Sequence, residues 1–187
     1  MSKNTALPKR KEIKMKRLLV LILASLMCLS IVSCSTNGTN VDIDGAVLEG
    51  HEGVAFNKLI RRACINYQDD MTEENEDEDN DFTFTVTYKL TDGWNSDKIK
   101  ERDYVNSKQS AITCSVVMKG TTEGTTSNVD VNFYLIHDIK SNTLKVIGAW
   151  VYITADEGAH TQSSFYKDED AQEILNKFLE DYYYNVD

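Results

Sequence analysis

Proline is almost missing: the 187 residues contain one, Pro8. That excludes a Pro-rich stalk or stiff spacer. Long apolar runs are missing too. The longest, within residues 18–34, falls short of the roughly 20 residues that a membrane-crossing helix needs. Basic residues are scarce beyond the N-terminal end, the chain having 20 Lys+Arg against 30 Asp+Glu. Seven of the basic residues and one acidic residue, Glu12, fall in 1–33, so 34–187 holds 13 basic against 29 acidic residues, a formal charge of −16. Such a surface repels phosphate backbones and anionic headgroups, which excludes nucleic acid as a partner. Signature motifs are absent as well: no P-loop, no dinucleotide glycine pattern, no G-x-S-x-G elbow and no CxxC pair. There is no internal repeat.

What is present begins at the N-terminal end. Lys9, Arg10, Lys11, Lys14, Lys16 and Arg17 precede an apolar run, 18–32, of the length of a signal-peptide core. Met15-Lys16-Arg17 makes an ordinary start of its own, so Met15 stands as an alternative initiation site. The run closes on Ile31-Val32-Ser33-Cys34, which resembles the lipobox of bacterial lipoprotein precursors. The resemblance implies that 1–33 is a cleaved signal peptide and that Cys34 carries a diacylglyceryl group. The mature protein would then be held to a membrane of the cell envelope, outside the cytoplasm: the outer membrane of a Gram-negative cell, or the outer face of a Gram-positive plasma membrane. Two acyl chains meet the requirement for stable anchoring, which a single short chain does not.

Residues 34–50 read as the lipidated cysteine and a flexible tether, small and polar through Ser35–Asn40. Residues 51–187 are long enough for one globular domain with a core of its own. Phe56, Leu59, Ile60, Ala63, Cys64 and Tyr67 recur at steps of three and four and predict an amphipathic helix over 54–67. The acidic block 69–81 predicts a solvated loop. Phe82, Phe84, Val86, Tyr88 and Leu90 alternate with threonines and Lys89, which predicts a strand. Three more strands are predicted over 109–119, 129–137 and 144–154, with 120–127 as a hairpin loop. The polar stretch 94–108 leaves room for a short helix capped by Ser96, and 155–167 reads as a loop. Ala171, Ile174, Leu175, Phe178, Leu179 and Tyr182 predict a second helix over 168–184, capped by Asp168 or Asp170, with Glu173 at capping-box spacing from Asp170. The fold class that follows is α+β: a four-stranded antiparallel meander sheet with an N-terminal and a C-terminal amphipathic helix packed on one face.

Candidate sites are few. Cys64 and Cys114 both fall on apolar faces, so they stand open as a disulfide or as two separate buried thiols. Asp77, Asp79 and Asp81 begin like a calcium loop, but Phe82 stands at the turn-glycine position and Tyr88 at the closing glutamate. His51-Glu52 begins like a zinc-protease motif, yet position 55 is Ala. His137-Asp138 and His160 are the remaining candidate bases. No catalytic residue, metal ligand or cofactor is expected. Trp94, Tyr104, Trp150, Tyr152, Phe165, Tyr166, Tyr183 and Tyr184 exceed what the predicted core faces require, and surplus Tyr and Trp favour binding surfaces. The leading expectation is a non-enzymatic, membrane-anchored envelope lipoprotein that binds a protein or other envelope partner. Two alternatives stand beside it: an envelope hydrolase with dispersed residues, and a carrier of a small ligand or cation.

Overall fold

The computed structural model describes residues 43–73, 82–122, 125–155 and 160–184. The signal peptide, Cys34, most of the tether and Asp77, Asp79 and Asp81 lie outside the described residues.

Every run with apolar alternation becomes a strand. β1 is Val47–Leu48, β2 Thr83–Asp92, β3 Gln109–Thr122, β4 Thr125–Asp138, β5 Thr143–Ala155 and β6 His160–Lys167. Among the described residues two α-helices, α1 (Phe56–Glu73) and α2 (Asp168–Leu179), complete the fold, with a 3-10 turn at Glu101–Asp103 and a π-helical turn at Glu180–Tyr184. The expected four-stranded antiparallel meander under two helices is corrected. The molecule is mostly β, a six-stranded mixed sheet curled into a half-barrel.

Its strand order is β1-β5-β4-β3-β2, and β6 also pairs with β5. The second edge of β5 is thus shared. β1 runs parallel to its start, Val47 opposite Thr143, and β6 runs antiparallel along its remainder, from Gly148 opposite Lys167 to Ala155 opposite His160. Residues 160–167 read as loop because Gln162, Ser163 and Ser164 break the apolar alternation. An available edge on β5 satisfies their backbone groups and makes them a strand, as tertiary context commonly does for polar sequences. The predicted loop 120–127 is likewise mostly ladder, continuing through Gly120–Ser127, Thr121–Thr126 and Thr122–Thr125 pairs.

The sheet curls where β5 gains a residue. Tyr134 pairs with Gly148 and Leu135 with Val146, so Ile147 is the extra residue of a bulge, which bends and twists the strand that carries it. β6 passes close over Gly148: a Cβ would lie 3.0 Å from Phe165 Cζ and 3.4 Å from Tyr166 O.

α1 extends beyond its predicted end into the acidic block because Gln68 and Met71 still reach the core. Gln68 Oε1 accepts a hydrogen bond from the Val86 N–H at 3.3 Å, which covers part of the free edge of β2. The main core lies between the helices and the concave face of the sheet. Phe56, Leu59, Ile60 and Ala63 of α1 and Leu175 and Leu179 of α2 meet Phe133, Leu135 and Leu144. A smaller cluster on the other face is built around Trp94, Ile99, Tyr134 and Ile147, with Trp150 and Phe165 packed against it. Its anchor is the Trp94 indole N–H, which donates to Ile112 O (3.1 Å) and Leu135 O (3.0 Å). Gly93 turns the chain into this segment with φ of 78°, a conformation that favours glycine. The predicted cap of α2 is not formed: Lys167 occupies the N-cap without a side-chain hydrogen bond, and Asp168 sits at φ 47°.

Candidate functional site

α2 carries two apolar stripes, each at four-residue spacing. Ala171, Leu175 and Leu179 are fully buried and form the helix–sheet seam. Ile174, Phe178 and, beyond the helix, Tyr182 are only half-buried. Packed against the core on one side, they face a cavity of about 340 Å³ on the other. Its floor is the concave sheet: Val116 and Met118 of β3, Val129, Val131 and Phe133 of β4, and Val151 and Ile153 of β5. Tyr67 of α1 closes the side, and Lys177 and Asp181 stand at the rim.

The wall on the helical side is aromatic. The Tyr67 and Tyr182 rings lie 4.1 Å apart and tilted, Phe178 and Tyr182 5.5 Å apart, and Tyr67 meets Phe178 edge-on at 5.8 Å. Rings in such tilted and edge-on arrangements attract one another beyond their area burial, so this wall is held in shape without a ligand. The π-helical turn places Tyr182 in it. The Tyr182 carbonyl, which the end of a helix would leave unbonded, accepts a 2.6 Å hydrogen bond from Asn66 Nδ2 of α1.

A second device fixes the same helix from outside. Asn176 Oδ1 accepts from Gln172 Nε2 at 2.7 Å and lies 3.0 Å from His51 Nε2. A carbonyl oxygen can only accept, so His51 carries its proton on Nε2. In the neutral ring Nδ1 then accepts from the Tyr184 hydroxyl, 3.2 Å away, and the two rings stack at 5.8 Å and 16°. The loop after β1 is thereby tied to both ends of the cavity's helical wall. This is a structural role for His51, which the failed metal motif did not suggest.

The other candidates are distributed elsewhere. Cys64 and Cys114 lie in one core as free thiols. Burial pushes the Cys64 thiol up to about 12. Cys114 is pushed well up by burial first and then by its neighbour Cys64. Both are therefore protonated and unreactive in the native state. His137 is buried, with Nε2 2.7 Å from Asn142 Oδ1 and Nδ1 enclosed without a partner. Asp138 does not orient it. Oδ1 of Asp138 accepts from the backbone N–H of Lys140 (3.1 Å) and of Ser141 (3.0 Å), and from the Ser141 hydroxyl (3.0 Å). The Ser141 bonds, backbone first, hold the Asp138 carboxyl below its ordinary value. The serine thus donates to the carboxylate, not to the histidine, which is the wrong wiring for a nucleophile–base pair. His160 opens β6 opposite Ala155.

Among the described residues no group of three or more His, Cys, Asp or Glu is placed to hold a metal ion, and no helix is long and apolar enough to cross a membrane. The chain matches no family model, no curated protein and no solved structure, so the cavity is interpreted from its own geometry. The cavity is the feature that the sequence did not reveal. Most of its lining falls on the predicted apolar faces, because an apolar residue beside a void and one beside another side chain have the same sequence signature.

Proposed function

We propose that the protein is a lipid-anchored envelope module that captures a small apolar molecule in the cavity beneath α2. One observation carries this reading: the half-buried stripe Ile174, Phe178 and Tyr182 faces open space over the sheet. Leaving one side of these side chains open forgoes part of the dispersion contacts that a filled core would make, and a ligand restores them. The volume is at the lower end of the range for small-molecule sites. It is roughly twice the ~150 Å³ apolar cavity that takes up benzene.

The alternatives draw less support. A hydrolase would need a base wired to a nucleophile, and His137 is bonded to Asn142 instead. A protein partner would favour one contiguous apolar patch. The large exposed apolar side chains Ile65, Tyr104, Ile139, Tyr152, Tyr166 and Tyr184 lie on six different segments. The lipobox at Cys34 supports the membrane attachment, which would keep the cavity close to a supply of apolar molecules.

The test uses the mature chain, residues 34–187 with Cys34→Ser; the described core draws on nothing before Ile43. N-phenyl-1-naphthylamine, an uncharged apolar probe, should show saturable fluorescence enhancement. Val151→Trp, which fills the cavity from its half-buried side, should abolish the enhancement while circular dichroism stays unchanged. Absence of saturable binding, or binding undiminished in the tryptophan variant, overturns the proposal.

A further inference from the structure

The cavity does not end at its apolar lining. Lys177 and Asp181 at its rim also line a second, open hollow of about 510 Å³ on the outer side of α2. That hollow is polar: Glu169, Glu173, Glu180 and Asp181 line it together with Gln172, Asn176 and the single cation Lys177. Four carboxylates against one ammonium leave a formal excess of three negative charges. Lys177 lies four residues from both Glu173 and Asp181 along the chain, and its one positive charge offsets only one of the carboxylates. The chain beyond residue 33 adds a field of the same sign, with its formal charge of −16.

From this juxtaposition we infer that the ligand is a cationic amphiphile, its apolar body in the cavity and an amine or quaternary ammonium head in the acidic hollow. The inference rests on the cavity being a ligand site, as proposed above. Two physical terms favour a positive head over a negative one. The hollow attracts cations through its excess of carboxylates. Tyr182 and Phe178 line the same cavity as the shared rim residues Lys177 and Asp181, and the face of an aromatic ring attracts a positive charge and repels an anion.

Decyltrimethylammonium, decyl maltoside and decyl sulfate share one tail and differ in head charge. Each is titrated below its critical micelle concentration, by displacement of N-phenyl-1-naphthylamine from the mature chain with Cys34→Ser. The expected order is cation, then neutral, then anion, with about tenfold separating the first from the last. Added salt should narrow the gap, because the hollow is exposed to screening. Glu173→Gln with Glu180→Gln, both exposed and lining the hollow but not the cavity, should remove most of it without loss of the neutral compound's affinity. Equal affinities for the three heads, or tighter binding of the sulfate, overturn the head-group inference while leaving the apolar site standing. Failure of all three and of the uncharged probe overturns both. A cation preference that survives the double substitution also overturns it, since the acidic hollow would then not be its source.

Discussion

Buried titratable groups set what single residues can do here. Cys64 and Cys114 are the clearest case, because burial holds both thiols far above their ordinary range. The folded mature chain with Cys34→Ser is expected to resist iodoacetamide at mildly alkaline pH. In denaturant without reductant it should take up two labels, read by mass spectrometry. A native chain that labels readily would show that α1 does not cover β3 as described. Asp130, on the centre strand β4 facing away from the helices, is pushed up by burial. Its folded state therefore holds a proton more tightly than the unfolded chain does. Stability falls as pH rises from the unfolded value of about 3.9 through the raised folded value, and the loss persists above it. Asp130→Asn should accordingly raise the melting temperature at neutral pH. It should leave it unchanged in acid below both values, where aspartic acid and asparagine are both uncharged. A gain of equal size at both pH values would point to some other cause.

Among the elements, the pair β5–β6 shows how local sequence and tertiary contact divide the work. β5 was legible as a strand over 144–154, although its bulge at Ile147 was not. β6 was illegible, since its polar residues become a strand only because β5 has a vacant edge. The seam depends on Gly148, over which the Phe165 ring lies. Gly148→Ala would place a methyl group 3.0 Å from that ring and 3.4 Å from a backbone carbonyl. The expected loss is about 1–3 kcal/mol, the usual range for overpacking, read from urea melts. Phe165→Leu in the same background should recover part of it. Wild-type stability of the alanine variant would mean that the ring does not sit over the glycine. α2 makes the complementary point: its apolar periodicity was clear, but the division into a buried stripe and a cavity stripe was not.

For the molecule as a whole, attachment and capture are separable properties. The lipobox reading predicts that Cys34→Ala shifts the protein from the membrane to the soluble fraction of fractionated cells, detected by immunoblot. The cavity should then still bind N-phenyl-1-naphthylamine, because its lining among the described residues comes from positions 67–182. Persistence of the variant in the membrane fraction would overturn the proposed anchor while leaving the cavity untouched.

Short-range chemistry decided the parts that the chain states openly. Alternating threonine and apolar residues dictated β2, and three- and four-residue steps dictated α1 and α2. The excess of acid over base dictated the sign of the surface field. Each depends only on neighbours within a few positions along the chain. The parallel docking of β1, the recruitment of β6 and the void beneath Phe178 were decided by tertiary structure alone. The first two depend on which strand edge remains unpaired after the others have formed. The third is a gap between elements, and a gap has no residue of its own to mark it.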